Sequence, residues 1–189
     1  MAYPLRGIGK TKATAELIIR EQAFNRDTDI KPIAPDNSYI ITLQTQARFF
    51  AAPNSIKATG DELELRKLYA DYWSKVSGDK LSLSHYFAQQ TRVGGHFYWA
   101  HYRKRASPYQ PEWLTQPGSV FVLIATNAEH VGDINALLTE WQLQGLPQAE
   151  DRQNETWQTN PYIRENGFGE IRVNDAIHRD FVATEGEWV

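Results

Sequence analysis

The stretch YIITLQTQARFF, residues 39–50, constrains the fold more than any other. Tyr39, Ile41, Leu43, Ala47 and Phe49 take alternate positions, and Thr42, Gln44, Gln46 and Arg48 take the positions between. Successive side chains of an extended chain point to opposite faces, so the pattern predicts a strand with one face in a core and the other toward solvent. Such a strand needs neighbours for its backbone groups and a second layer over its apolar face.

The rest of the chain supplies both. ATAELIIREQAF (13–24) alternates through Ala15, Leu17 and Ile19 and predicts a second strand, ahead of a proline-broken connection over 27–38. From Asp61 the period changes. Leu65, Leu68, Tyr69, Tyr72 and Val76 share one helical face, and Gly78 predicts the stop. HYFAQQTRVGGHFYWAHYRKR (85–105) reads as a long aromatic strand bent at Gly94-Gly95, with His96, Tyr98, Ala100 and Tyr102 on one face. The proline-laden 107–118 reads as a loop, and the apolar run SVFVLIAT (119–126) as a buried strand. A second helical period runs through Ile134, Leu137, Leu138 and Trp141, and Gly145 and Pro147 end it. A polar loop (148–166) leads to a last strand, FGEIRVN (168–174). The order β-β-α-β-β-α-β predicts an α+β fold of ferredoxin-like (RRM-like) type, with two helices on one face, an extra leading strand and long loops. Residues 1–189 are expected to form one domain, with a basic N-terminal arm (1–12) and an acidic C-terminal tail (176–189).

The chain has no cysteine, which excludes disulfides and thiolate metal sites. No apolar run reaches the length of a membrane span and no apolar leader opens the chain, so a soluble cytoplasmic protein with no membrane partner is expected. The net charge of −3 argues against general nucleic-acid binding, but its distribution is uneven. Arg6, Lys10 and Lys12 lie in a segment without acids, as do Arg92, Arg103, Lys104 and Arg105, whereas acids gather in 61–71 and in the closing EGEWV. Two basic patches on an acidic body suit local contact with phosphate.

Near the end of the chain stands YIRENGFGEIRVND, residues 162–175. Gly167 and Gly169 permit positive φ and close approach of a phosphate or a base. Arg164 and Arg172 add charge, and Phe168 could stack on a base; the competing account is a hairpin turn with Phe168 in the core. In TRVGGHFYWAHYRKR basic and aromatic residues interleave, as they do on RNA-binding strands, and Arg103, Lys104 and Arg105 are the best candidates for phosphate contact. A core strand with a solvated basic end remains the alternative. RGIGKTKA contains Gly-Lys-Thr, but Pro4 stands where a P-loop needs its first glycine; a mobile basic arm that orders on RNA is the functional reading and a frayed terminus the plain one.

No serine triad or paired-carboxylate site is evident. His96 and His101 would face opposite sides of a strand, so no metal is expected between them, and no cofactor is implied.

QTRVGGHFYW, PGSVFVLI and NGFGEIRV, in that order, resemble the RAMP superfamily of CRISPR-associated proteins. The order is most similar to the C-terminal half of the larger RAMP subunit of type III-D effector complexes, and GIGKTKATAELIIREQAF followed by YIITLQTQARFF resembles the start of that domain. The resemblance implies a ferredoxin-like fold with a glycine-rich loop late in the chain. It further implies binding of CRISPR guide RNA, with target RNA a second candidate partner, and assembly with other Cas subunits into an RNA-guided antiviral complex. The larger subunit carries a further domain ahead of this one, so a split or stand-alone version is expected here. A non-catalytic, crRNA-binding structural subunit is the preferred function. A metal-independent endoribonuclease and a protein-only scaffold subunit are the alternatives; for a catalytic version the resemblance implies His96 as a general base in metal-free RNA cleavage, or Asp29 as a loop acid, with Asp27 and Asp36 in the same loop.

Overall fold

The computed structural model describes residues 2–8, 13–18, 30–33, 36–50, 62–101, 112–148 and 155–175. At its centre is a four-stranded antiparallel sheet of β3 (Ser38–Leu43), β4 (Leu81–Phe87), β7 (Val120–Ala125) and β8 (Ile171–Val173), in the order β4-β7-β3-β8. Helix α1 (Glu62–Ser77) connects β3 to β4, and α3 (Val131–Gln144) connects β7 to β8. The sheet is therefore built by a β-α-β-β-α-β chain whose two helices each join strands that are not neighbours. Two small ribbons accompany it. β1 (Ala2–Ile8) pairs with β2 (Ala13–Ile18), and β5 (Gln90–Val93) pairs with β6 (Glu112–Thr115), both antiparallel. The fold is α+β, as expected.

The alternation in 39–50 marks the core. Tyr39, Ile41, Leu43, Ala47 and Phe49 are all buried. They meet Tyr69, Tyr72 and Trp73 of α1, Phe121 and Leu123 of β7, and Ile134, Leu138 and Trp141 of α3. Phe49 is the hub. Its ring lies 5.1 Å from Tyr69, 4.7 Å from Tyr72, 5.5 Å from Trp73 and 5.0 Å from Phe121, mostly edge to face. Aromatic pairs prefer such offset arrangements because ring edges are positive and faces negative. Gly78 ends α1 at φ +61, where its N–H donates to Lys75 O and the Asp79 N–H to Ser74 O, so carbonyls of the last turn are satisfied. Gly145 ends α3 at φ +84.

Several expectations are corrected. The strand from Tyr39 ends at Leu43; beyond it the chain bends, and Ala47 bridges to Thr115 of β6 instead. Apolar residues continue at alternate positions because the bent segment still lies on the core. The described part of the proposed strand, residues 85–101, runs through three elements, β4, β5 and the helix α2 (His96–His101). Gly94, at φ +90, turns the chain off the β5–β6 ribbon, and the Trp99 N–H then bonds locally to Gly95 O. His96 and Ala100 thus belong to a helix, not to one face of a strand. The loop expected over 107–118 contains β6. Within the segment expected as a basic arm, Ala2–Ile8 forms β1, with Arg6 paired opposite Thr14.

β4 is an edge strand. Its pairing with β7 shifts between Leu83 and His85, and Arg66 of α1 donates to the Ser84 carbonyl at 2.7 Å. A bulge and a capped carbonyl both blunt an edge against further strand pairing. Among the described residues no helix is long and apolar enough to cross a membrane.

Candidate functional site

The sheet face away from the helices is the first place to seek a ligand. Core residues alternate along each strand, so Ile40 and Thr42 of β3 and Val120, Val122 and Ile124 of β7 point the other way. These central positions carry small or branched side chains and no aromatic ring. Base stacking needs flat rings, so the middle of this face does not offer the RRM mode of RNA contact. Arg172 of β8 lies on the same face beside Thr42, with its side chain 64% exposed and paired with Asp175 at 3.3 Å. Phe87, 79% exposed, stands at the opposite edge.

The glycine segment offers more. A 3-10 turn, Arg164–Asn166, ends at Gly167 in the left-handed conformation (φ +82, ψ +18). Gly169 has φ +79. The two glycines do different things. A Cβ on Gly169 would lie 3.3 Å from Leu146 Cβ and 3.4 Å from Leu146 N. There the chain lies close against the end of α3: Leu146 N–H donates to Gly169 O at 2.8 Å, and Gly169 N–H donates to Gln46 O at 2.8 Å. A Cβ on Gly145, on the other side of this contact, would lie 3.3 Å from Arg164 Cβ and 3.4 and 3.5 Å from the carbonyl oxygens of Phe168 and Gly169. Gly169 is thus needed for internal backbone packing. A Cβ on Gly167 would meet nothing within 4 Å, so Gly167 gives the turn its left-handed residue and leaves the space above it open.

Phe168 is half-buried, and its ring stands edge-on to Tyr162 at 5.5 Å. It is therefore neither a core residue nor a free platform. Together with Arg48, Gln148, Arg164 and Gly169 the pair lines a cleft of about 20 Å³, room for a water and not for a base. A nucleotide would have to lie across its mouth.

Arg48 anchors the cleft floor. Its side chain is 4% exposed, hydrogen-bonds Glu155 and faces Glu112 at 3.6 Å. Asn160, fully buried, donates to the same Glu155 oxygen at 3.0 Å, and the Gln148 side-chain amide donates to the Glu155 carbonyl at 3.4 Å. One cation thus ties the 44–50 bend, the start of β6 and the 155–160 turn together. Gln148 Oε1 is buried and has no hydrogen-bond partner among the described residues. Behind the cleft, Tyr72 donates to Pro147 O at 2.8 Å. Burial drives its phenol well above the ordinary range, against a smaller downward pull from Arg164.

The cleft brings Arg164, Phe168 and Gly169 together, and Gly167 is the exposed turn residue next to Phe168 in the chain. Arg164 lies 3.6 Å from Glu165, with its side chain one-third exposed. Arg172 sits apart on β8. Arg92 is exposed on β5, and His96 is exposed at the start of α2, edge-on to Trp99 at 5.7 Å. Lys10, Lys12, Asp27, Asp29, Arg103, Lys104 and Arg105 lie outside the described residues, and Asp36 is an exposed turn residue. Among the described residues no three His, Asp or Glu side chains gather as a metal site.

No protein-family model matches this chain. No curated protein matches its sequence either. The sequence reading missed Arg48, Glu155, Asn160 and Gln148. The signal available was weak: a lone arginine closing an otherwise uncharged alternating segment.

Proposed function

We propose that this chain is a non-catalytic RNA-binding subunit of a type III CRISPR effector, with a ferredoxin-like RAMP domain that seats guide RNA on its glycine segment. Target RNA and neighbouring Cas subunits complete the set of partners. The strand order β4-β7-β3-β8 with β-α-β-β-α-β connectivity supports the ferredoxin-like reading. The observation that carries the functional reading is the position of the exposed Gly167 turn. It follows α3 and precedes β8, where the RAMP resemblance puts a glycine-rich loop. It also has open space above it and Arg164 beside it. Phosphate contacts would come from exposed arginines, and base contacts from rings at the cleft mouth.

The mechanism is positional. Backbone N–H groups and guanidinium groups fix the sugar-phosphate strand, and other faces of the chain meet adjacent subunits. Fluorescence anisotropy with CRISPR-repeat RNA across a salt series tests it. Wild type should bind with a negative log–log salt slope. Changing Arg103, Lys104 and Arg105 together to Ala should reduce that slope by roughly one unit per lost phosphate contact. No binding by wild type at low salt would refute the RNA reading and leave the protein-only scaffold.

A further inference from the structure

Trp157 is 61% exposed, yet the turn that carries it is tightly held. The Thr159 hydroxyl accepts from Thr156 N–H at 2.9 Å and donates to Thr156 O at 3.1 Å. Thr156 O also accepts from the backbone N–H groups of Thr159 and Asn160, at 2.9 and 2.8 Å. Below the turn, buried Asn160 and Glu155 close on Arg48, and Asn160 Oδ1 accepts from Tyr162 N–H at 2.8 Å. An indole exposed to water is unfavourable, and a flexible loop would normally fold it inward. Here both ends of the turn are fixed, so the ring is presented in one place.

That place adjoins the cleft. Glu155, two residues before Trp157, contacts the cleft residue Arg48, and two residues of chain span at most about 7 Å. Tyr162, five residues on, is itself a cleft wall.

We propose that Trp157 is a base-stacking platform for the single-stranded RNA that crosses the cleft. The inference rests on the RNA reading above and adds a site to it. The surroundings favour a base over a protein pocket. Thr156, Gln158 and Thr159 are all exposed and polar, whereas aromatic anchors of protein interfaces sit within an apolar patch. Gln148 Oε1, on the neighbouring cleft wall, has no hydrogen-bond partner among the described residues and calls for a ligand with hydrogen-bond donors. Nucleotides carry donors beside a flat ring face. Stacking is sequence-tolerant, since every base has a π-face.

The test compares wild type, Trp157→Phe and Trp157→Ala binding to an unstructured, fluorescein-labelled 20-nucleotide RNA over a salt series. Because the ring is exposed, thermal melting should be the same for all three proteins. Trp157→Ala should weaken binding roughly 5- to 150-fold, and Trp157→Phe should keep much of the affinity. The salt slope should be identical in all three, because stacking releases no phosphate counterions. Equal affinity of wild type and Trp157→Ala would overturn the proposal and leave the ring as a protein-docking residue. A salt slope that falls along with affinity would overturn it too, since the lost contacts would then be ionic. Wild-type binding itself reads the RNA proposal, and only the wild-type to Trp157→Ala ratio reads this one.

Discussion

Two glycines two residues apart should respond differently to the same methyl group. At Gly167 the backbone is left-handed and the space around it open, so Ala there meets only the conformational cost, about 1–2 kcal/mol. At Gly169 a comparable backbone cost is joined by crowding, because the new Cβ would press on Leu146 Cβ at 3.3 Å and Leu146 N at 3.4 Å. Overpacking of this kind costs about 1–3 kcal/mol when the neighbour cannot yield. Leu146 is 5% exposed and its N–H is bonded to Gly169 O, so it has little room to move. Gly169→Ala should therefore lose roughly 2–5 kcal/mol in all. At about 2–4 °C per kcal/mol for a chain of this size, Gly167→Ala should melt a few degrees below wild type and Gly169→Ala roughly 4–20 °C below. Urea denaturation followed by tryptophan fluorescence checks both, and the slope of free energy with urea should be unchanged. Equal destabilisation by the two substitutions would refute the division of labour drawn here between a packing glycine and an open one.

Three further outcomes follow from the packing. Arg48→Met removes a buried cation that faces the Glu112 and Glu155 carboxylates. It should cost about 3 kcal/mol in urea denaturation, because losing one member of a buried ion pair is strongly destabilising. Phe49→Ala empties the hub of the aromatic cluster and should cost about 3–5 kcal/mol by the same assay. Burial raises the phenols of Tyr39, Tyr69 and Tyr72 in the folded chain, so their neutral forms favour folding. That contribution is whole below the unfolded value near 10 and is lost as pH climbs above it. The urea midpoint should therefore fall between pH 9 and about 11, and fall less steeply in Tyr72→Phe. A midpoint flat across that range would contradict the sign.

The parts of the fold legible in the sequence are those where one physical pattern dominates. The period of 3.6 residues through Leu65, Tyr69, Tyr72 and Val76 and the stop at Gly78 located α1, and the run VFVLIA located β7. Where two patterns compete, the sequence misleads. HFYWAH alternates in polarity well enough for a strand, but it has no partner strand, and Gly94 had already turned it away from β5. β6 hid among prolines because its four residues are too short for a period to show. The site was half legible. Arg164, Phe168 and Gly169, which the sequence singles out, line one cleft. Arg48, by contrast, occupies a polar position of an alternating segment, and alternation predicts solvent. The bend after Leu43 swings it inward instead, where its partners come from residues 64 and 107 positions further along the chain. Glu155 and Asn160 looked like solvated loop polars for the same reason: no local pattern encodes a contact made at such distance.

The central claim is that single-stranded RNA lies across the mouth of the cleft between the glycine turn and the Trp157 turn. Ultraviolet crosslinking of the bound protein to guide RNA, with adducts mapped by peptide mass spectrometry, tests it most directly. Adducts on Trp157, Tyr162 or Phe168 are the predicted result. Efficient crosslinking confined to peptides outside residues 155–169 would contradict it.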